Sequence, residues 1–203
     1  MNNGKNTLKP AYFEVVYGAN QDPWQFETSP YEQEKYAVTI AALPRSDYKS
    51  GFEIGCSIGV LTRQLAIRCH SLLSIDVSEV ALRQARQRLA DAPQIRIENR
   101  MVPADFPDEQ FDLIMVSEVG YYLSMPDLLK TRQLMLDHLE PGGHLLLVHW
   151  TPAVHDYPLT GDQVHEVFLA KAGEGQPFRH LHGLRQETYR LDLFERSTSQ
   201  PGT

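Results

Sequence analysis

The stretch Phe52-Glu53-Ile54-Gly55-Cys56-Ser57-Ile58-Gly59-Val60-Leu61-Thr62 most narrowly limits what this chain can fold into. A short apolar run ends at an acid, two glycines follow four residues apart, and an amphipathic run begins. That order reads as strand, tight turn and helix, with glycine where the backbone must turn sharply or let a ligand come close. The N–H groups at the start of the next helix point back at the turn. The stretch is therefore expected to cradle an anionic or strongly polar small molecule.

Strands and helices alternate around it. Residues 1–10 read as a frayed polar end, and Tyr12 to Tyr17 as a helical turn. Ser29-Pro30-Tyr31-Glu32 starts a helix, with a Ser cap, Pro at the first position and Glu at the capping-box position. It should stop at Leu43, before Pro44. The pattern then predicts a strand over 51–54, a helix over 58–68, a strand from Ser71 to Ile75 closing at Asp76, and a helix from Ser78 to Leu89. A strand over 95–98, a loop from Arg100 to Gln110 and a nearly continuous apolar strand from Phe111 to Ser117 follow. A helix over 126–139 precedes Glu140-Pro141-Gly142-Gly143, which should break the chain before a strand from His144 to Trp150. A loop over 151–159, a helix from Thr160 to Ala172 and short strands near 178–182 and 189–195 complete it. Such alternation builds an α/β fold, a parallel sheet with helices on both faces. Ligands of such sheets bind beyond the carboxyl ends of the strands, and Glu53, Asp76 and Glu118 each stand at or just past a strand end.

The 203 residues suit one domain, and a net charge of −7 without a run of like charges argues against a nucleic-acid partner. Arg83, Arg86 and Arg88 read as a solvated helix face. Cys56 and Cys69 have neither metal-ligand nor CxxC spacing, so a reducing, cytoplasmic setting is expected. No window approaches membrane-spanning length and no export signal is evident, so no membrane is expected. The eight histidines show no metal spacing apart from His180 and His182, which would share one face of a strand; no metal site is expected. Nothing bears on oligomeric state.

Two cofactor classes use a glycine turn after the first strand and an acid after the second. A dinucleotide needs GxGxxG, and Ser57 and Val60 stand where its second and third glycines belong. S-adenosylmethionine carries no phosphate. Its ammonium wants a carbonyl or carboxylate and its ribose diol an acid, which Glu53 and Asp76 supply.

Glu53-Ile-Gly55-Cys-Ser-Ile-Gly59, Ile75-Asp76-Val77-Ser78, Phe111-Asp112 through Ser117-Glu118-Val119, and Leu139-Glu-Pro141-Gly142-Gly143 together resemble class I S-adenosylmethionine-dependent methyltransferases. The resemblance covers about residues 50–150. It implies a Rossmann-like, seven-stranded, mostly parallel sheet with one reversed edge strand, completed by the pair within 178–195. One domain, 1–203, would then comprise an N-terminal lid over 1–45, a cofactor core over 50–150 and acceptor loops with closing antiparallel strands over 151–203. Asp22-Pro23-Trp24, Tyr31-Glu32-Gln-Glu-Lys35-Tyr36 and Ser117-Glu118-Val119-Gly120-Tyr121-Tyr122-Leu123 are similar to the NodS-type nodulation methyltransferases. That likeness implies a free amine of a deacetylated chitooligosaccharide as acceptor. It weakens after Trp150. The family's adenine-binding acid falls at Met101, which leaves adenine to Val102, with Asp105 as a substitute.

The resemblance distributes roles. Glu53, Gly55, Cys56, Ser57, Gly59, Asp76, Val77, Met101, Val102, Ser117 and Glu118 would line the cofactor, with Glu53 on the ammonium side, Asp76 on the ribose diol and Val77 against adenine. Trp24, Tyr31 and Lys35 would belong to the lid, Lys35 meeting the cofactor carboxylate. Glu118, His149 and Tyr122 are the candidates for chemistry, and Tyr121, Tyr122, His149, His155 and His165 for holding the acceptor. Methyl transfer to a small-molecule amine is the expected function, with S-adenosylhomocysteine as product. O-methylation of a small metabolite, a non-catalytic cofactor-binding regulator and a dinucleotide-dependent oxidoreductase are the alternatives.

Overall fold

The structure, a computed structural model, describes residues 5–198. The expected fraying of the first four residues lies outside them. Described residues of that segment are tied down: Leu8 N–H donates to Tyr122 O at 2.9 Å.

Seven strands form one sheet in the order β3-β2-β1-β4-β5-β7-β6. They are β1 (Tyr48–Ile54), β2 (Cys69–Asp76), β3 (Ile95–Asn99), β4 (Phe111–Ser117), β5 (Leu139–Trp150), β6 (Phe178–Arg185) and β7 (Tyr189–Arg196). Among the described residues six α-helices accompany them: α1 (Pro10–Ala19), α2 (Pro30–Ala41), α3 (Val60–Leu65), α4 (Glu79–Arg88), α5 (Met125–His138) and α6 (Gly161–Leu169). The ladders β1–β2, β2–β3 and β4–β5 are parallel; β7 runs antiparallel to both β5 and β6. This is the expected Rossmann-like, mostly parallel seven-stranded sheet, with its reversed strand at the β6 end.

The chain forms two compact units, one from Lys9 to Met101, the other from Val102 onward with the segment ending at Leu8. The first unit has Phe52, Ile54, Leu72, Leu73 and Ile75 of its strands buried with Leu65, Leu82 and Ala85 of its helices. Residue Gly59 is left-handed at φ 82°, and a Cβ there would lie 3.2 Å from Ala85 and 3.1 Å from Leu89, so glycine lets α4 pack against the turn. In the second unit β4 is buried along its whole length, as a strand covered on both faces must be. Phe168, Phe178 and Phe194 pack with ring centroids 5.9–6.4 Å apart.

Local chemistry sets most element ends. Ser29, Ser78 and Thr160 each cap a helix by accepting a backbone N–H three residues on, and Thr160 with Gln163 forms a full capping box. Glu32 turns to Lys35 instead of back to its cap. Two expectations need correction. Glu140-Pro141-Gly142-Gly143 does not precede β5 but lies inside it as a bulge. The register passes from Phe111↔Leu139 to Leu113↔His144, with Gly142 left-handed at φ 76°. His180 and His182 do not share a face: His180 pairs with Phe194 and His182 with Leu193, so a bulge at Leu181 turns them to opposite sides.

Candidate functional site

In the unit from Lys9 to Met101, the turn after β1 is wound left-handed at three places, Gly55 (φ 87°), Ser57 (φ 51°) and Gly59 (φ 82°). Ser57 tolerates this only because its surroundings hold it. Its N–H donates to Asp76 Oδ2 at 2.9 Å and its hydroxyl shares a hydrogen bond of 2.5 Å with Tyr17 OH on α1. Asp76 Oδ1 accepts from Ser78 N–H at 2.9 Å. The carboxylate thus ties the turn after β1 to the turn after β2. Burial pushes its pKa up, and the N–H groups of Ser78, Ser57 and Val77 oppose that rise.

Four of the turn's donors are spent internally. Gly55 and Cys56 N–H both donate to Ile75 O, Gly59 N–H donates to Cys56 O, and Ser57 N–H goes to Asp76. An anion cradle needs those N–H groups outward. Of the two ligand types expected, anionic or strongly polar, these contacts favour the second: what the turn offers is carboxylate, at Asp76 and at Glu53. Each Asp76 oxygen keeps accepting capacity beside its backbone donor, which suits a diol.

Glu53 is buried, and Ser74 Oγ donates to its Oε2 at 2.8 Å. Burial raises its pKa to about 7 against the hydrogen bonding. Such a group is poised to ionise when a cation arrives. Val77 and Met101 are half-buried, Cys56 and Val102 buried, and Arg100 N–H donates to Asp76 O at 3.2 Å.

On the same unit α1 is held by Tyr17 at Ser57 and by Glu14, whose carboxylate accepts Glu79 N–H at 2.6 Å. Burial, then the charge of Asp76, keeps the Tyr17 hydroxyl protonated. Trp24 packs between Tyr17 (5.5 Å, edge-on) and Phe26 (5.6 Å, stacked). Lys35 is buried, its ammonium 3.0 Å from Glu32 and 5.3 Å from the centre of the Tyr31 ring. Arg86 pairs with Glu79 and Arg88 with Glu27, so these two arginines serve their own helix and its neighbouring loop.

In the other unit the chain leaves β4 at Ser117 and turns sharply: Glu118 is left-handed at φ 58°, and a 3-10 turn, Gly120–Tyr122, follows. Three successive residues at the end of β5 pin this turn. Glu118 N–H donates to Val148 O at 2.9 Å, Gly120 N–H to His149 Nε2 at 3.0 Å, and Trp150 N–H to Glu118 Oε2 at 2.8 Å. Tyr121 OH donates to the same carboxylate oxygen at 2.6 Å. Burial first, then the Glu118 charge, raises the Tyr121 pKa, so its hydroxyl remains a donor. Tyr121, Tyr122 and Tyr157 form one aromatic cluster, with centroids 4.7–5.0 Å apart.

The histidines stand elsewhere than expected. His149 and His165 are fully buried; His149 Nδ1 lies 3.0 Å from His165 Nε2, and His165 Nδ1 lies 2.6 Å from Asp192 Oδ2. With its other nitrogen on Gly120 N–H, His149 has both ring atoms engaged within the chain. It supports the turn after β4. His165 is buried against Asp192, and His155 is exposed beside Asp156. Among the described residues, no three His, Cys, Asp or Glu are arranged to hold a metal ion. Tyr17, Tyr157 and Asp192 were not foreseen, because each meets its partner across a long stretch of sequence and no local pattern marks it.

Similarities to known proteins follow the same lines. The family model of nodulation protein S (NodS) matches residues 17–147. Nodulation protein S of Rhizobium tropici is 34% identical over 132 residues, covering 63% of this chain and 55% of that protein. That of Bradyrhizobium diazoefficiens is 38% identical over 106 residues, covering 52% of this chain and 51% of that protein. The matched stretch thus spans little more than half the length of these relatives. The crystal structure of the N-methyltransferase NodS from Bradyrhizobium japonicum WM9, in complex with S-adenosyl-L-homocysteine, superposes with a TM-score of 0.77 at 26% identity, covering 95% of this chain and 99% of that one. Strand order, the acid-bearing turns and the matched residues lead to one conclusion: the chain belongs to the NodS family.

Proposed function

We propose that this chain is an S-adenosylmethionine-dependent methyltransferase acting on a free amine of a small acceptor, a deacetylated oligosaccharide. One observation carries the reading. The N–H groups of Gly55, Cys56, Ser57 and Gly59 are bonded within the chain and carboxylates flank the turn, which fits a cationic, phosphate-free cofactor with a ribose diol and opposes a dinucleotide. The family membership supports the same cofactor.

S-adenosylmethionine supplies an electrophilic methyl group on a sulfonium. Asp76 would hold the ribose hydroxyls, Glu53 would balance the ammonium charge, and Val77, Met101 and Val102 would take the adenine. Trp24, Tyr31 and Lys35 would close over that side and exclude water. Glu118 and the tyrosine cluster belong to the acceptor side. The amine must be neutral to attack. Its lone pair forms the C–N bond while the C–S electrons pass to sulfur, leaving S-adenosylhomocysteine, and the nitrogen then sheds a proton. Glu118 is the group to hold or take that proton, because Tyr121 stays protonated and both nitrogens of His149 are engaged. Most of the rate would come from position, since the cofactor carries the reactivity.

The test is mass spectrometry of products from labelled cofactor, with an amine-sugar panel and a hydroxyl panel side by side. One methyl on the sugar nitrogen is expected. Methyl on oxygen alone would make it an O-methyltransferase. No transfer, despite S-adenosylhomocysteine binding by calorimetry, would leave a cofactor-binding regulator.

A further inference from the structure

The buried polar line from Asp192 to Gly120 takes no part in the transfer just described, yet it ends on the turn that carries Glu118 and Tyr121. Its polarity can be read off its contacts. Gly120 N–H donates to His149 Nε2, so that nitrogen bears no proton and Nδ1 does. His149 Nδ1–H then donates to His165 Nε2 at 3.0 Å, which puts the His165 proton on Nδ1, aimed at Asp192 Oδ2 at 2.6 Å. Arg190 Nε holds the same Asp192 oxygen at 2.8 Å and His180 Nε2 the other at 2.6 Å. Glu166 and Asp162 of α6 hold Arg190 in turn, at 2.9 and 3.3 Å. One set of tautomers satisfies every contact. Removing the acceptor at Asp192 frees His165 to carry its proton on Nε2. His149 must then protonate Nε2 as well, donor against donor at Gly120.

Packing leaves the turn no other seat. A Cβ on Gly120 would lie 2.5 Å from Val164 and 2.9 Å from His149 Nε2, and one on Gly161 would lie 2.3 Å from Trp150 O. Both glycines exist to let the turn, α6 and the end of β5 close on one another.

We propose that Asp192, His165 and His149 are positioning residues: a tautomer relay that fixes the Glu118–Tyr122 turn through the Gly120 amide and so sets how the acceptor is held. The proposal rests on the reading of Glu118 and Tyr121 as acceptor-side groups. Its acceptor arm shares that reading; its amide arm does not.

The variants are Asp192→Ala, Asp192→Asn, which can still present an oxygen to His165, and His165→Phe, which fills the same space without a nitrogen. Each is measured for exchange protection of the Gly120 amide by NMR, S-adenosylhomocysteine affinity by calorimetry, and KM and kcat with N-deacetylated chitooligosaccharide. Asp192→Ala and His165→Phe should each lower Gly120 protection and raise acceptor KM by up to about tenfold, the effect of one buried hydrogen bond, with cofactor affinity unchanged. Asp192→Asn should restore most of both. An unchanged Gly120 amide in whichever of the two disruptive variants folds overturns the relay. So does parallel loss of cofactor and acceptor binding, which marks general destabilisation. If the wild-type chain methylates no amine sugar, the functional reading fails, and the amide measurement still decides the relay.

Discussion

Glu53 shows how burial turns a residue into a sensor. Its pKa, about 7 in the fold, lies above the ordinary carboxyl value of 4.5, so the folded chain binds a proton that the unfolded chain has lost between those values. Stability is therefore greatest below pH 4.5 as far as this group is concerned, and falls by about 3 kcal/mol as pH rises through 7. Denaturant unfolding from pH 4.5 to 8 should show that decline, and Glu53→Gln should flatten it. A bound cation reverses the preference. S-adenosylmethionine affinity should rise from pH 6 to 8 with proton release, measured by calorimetry in buffers of different ionisation enthalpy; affinity that ignores pH would remove Glu53 from the ammonium side. Asp76 carries a double duty. Asp76→Ala should weaken cofactor binding and also cost about 2 kcal/mol of stability, since two backbone donors, Ser57 and Ser78, lose their acceptor.

At the scale of elements, helix α1 is coupled to the turn after β1 through Tyr17, whose hydroxyl shares a hydrogen bond with Ser57. Tyr17→Phe keeps the ring packing on Trp24 and removes only that bond. A loss of about 1 kcal/mol in stability is expected, and the left-handed Ser57 should be less well held. Calorimetry with S-adenosylhomocysteine reads the consequence; unchanged affinity would separate α1 from the cofactor. The glycines report on packing between elements. Gly59→Ala meets Ala85 and Leu89 and must also hold φ 82°, so it should destabilise by about 1–3 kcal/mol in denaturant unfolding. Gly142→Ala has only a contact of 3.6 Å to meet, with Thr198, so its cost should be confined to the left-handed backbone, about 1 kcal/mol.

Across the whole molecule two buried groups respond to pH in opposite senses. Burial lowers the pKa of His165 below the ordinary 6.5, although Asp192 works the other way. Its contribution is present above pH 6.5 and is lost as pH falls below it, the range in which Glu53 grows more favourable. The Glu53→Gln chain should therefore lose stability on acidification from pH 6.5 more steeply than the wild type. Helix caps, the strand β4 and the acids at strand ends were legible in the sequence because each depends on residues a few positions apart. Ser29, Ser78 and Thr160 need only their own first turns, and the fully apolar Phe111–Ser117 needs only to be covered. The alternation of such segments was enough to indicate the fold class and to put Glu53, Asp76 and Glu118 each at or just past the end of its own strand. What the sequence could not decide was what those groups touch. Whether Ser57 N–H faced a ligand or Asp76, whether His149 was free for a substrate or bonded to Gly120, and which tyrosine lay against Ser57 depended on partners 16 to 40 residues away. Such contacts carry no local signature. They form only once the chain has closed its long loops, and the packing of α1, α6 and the end of β5 then selects the one arrangement that leaves these buried donors and acceptors satisfied.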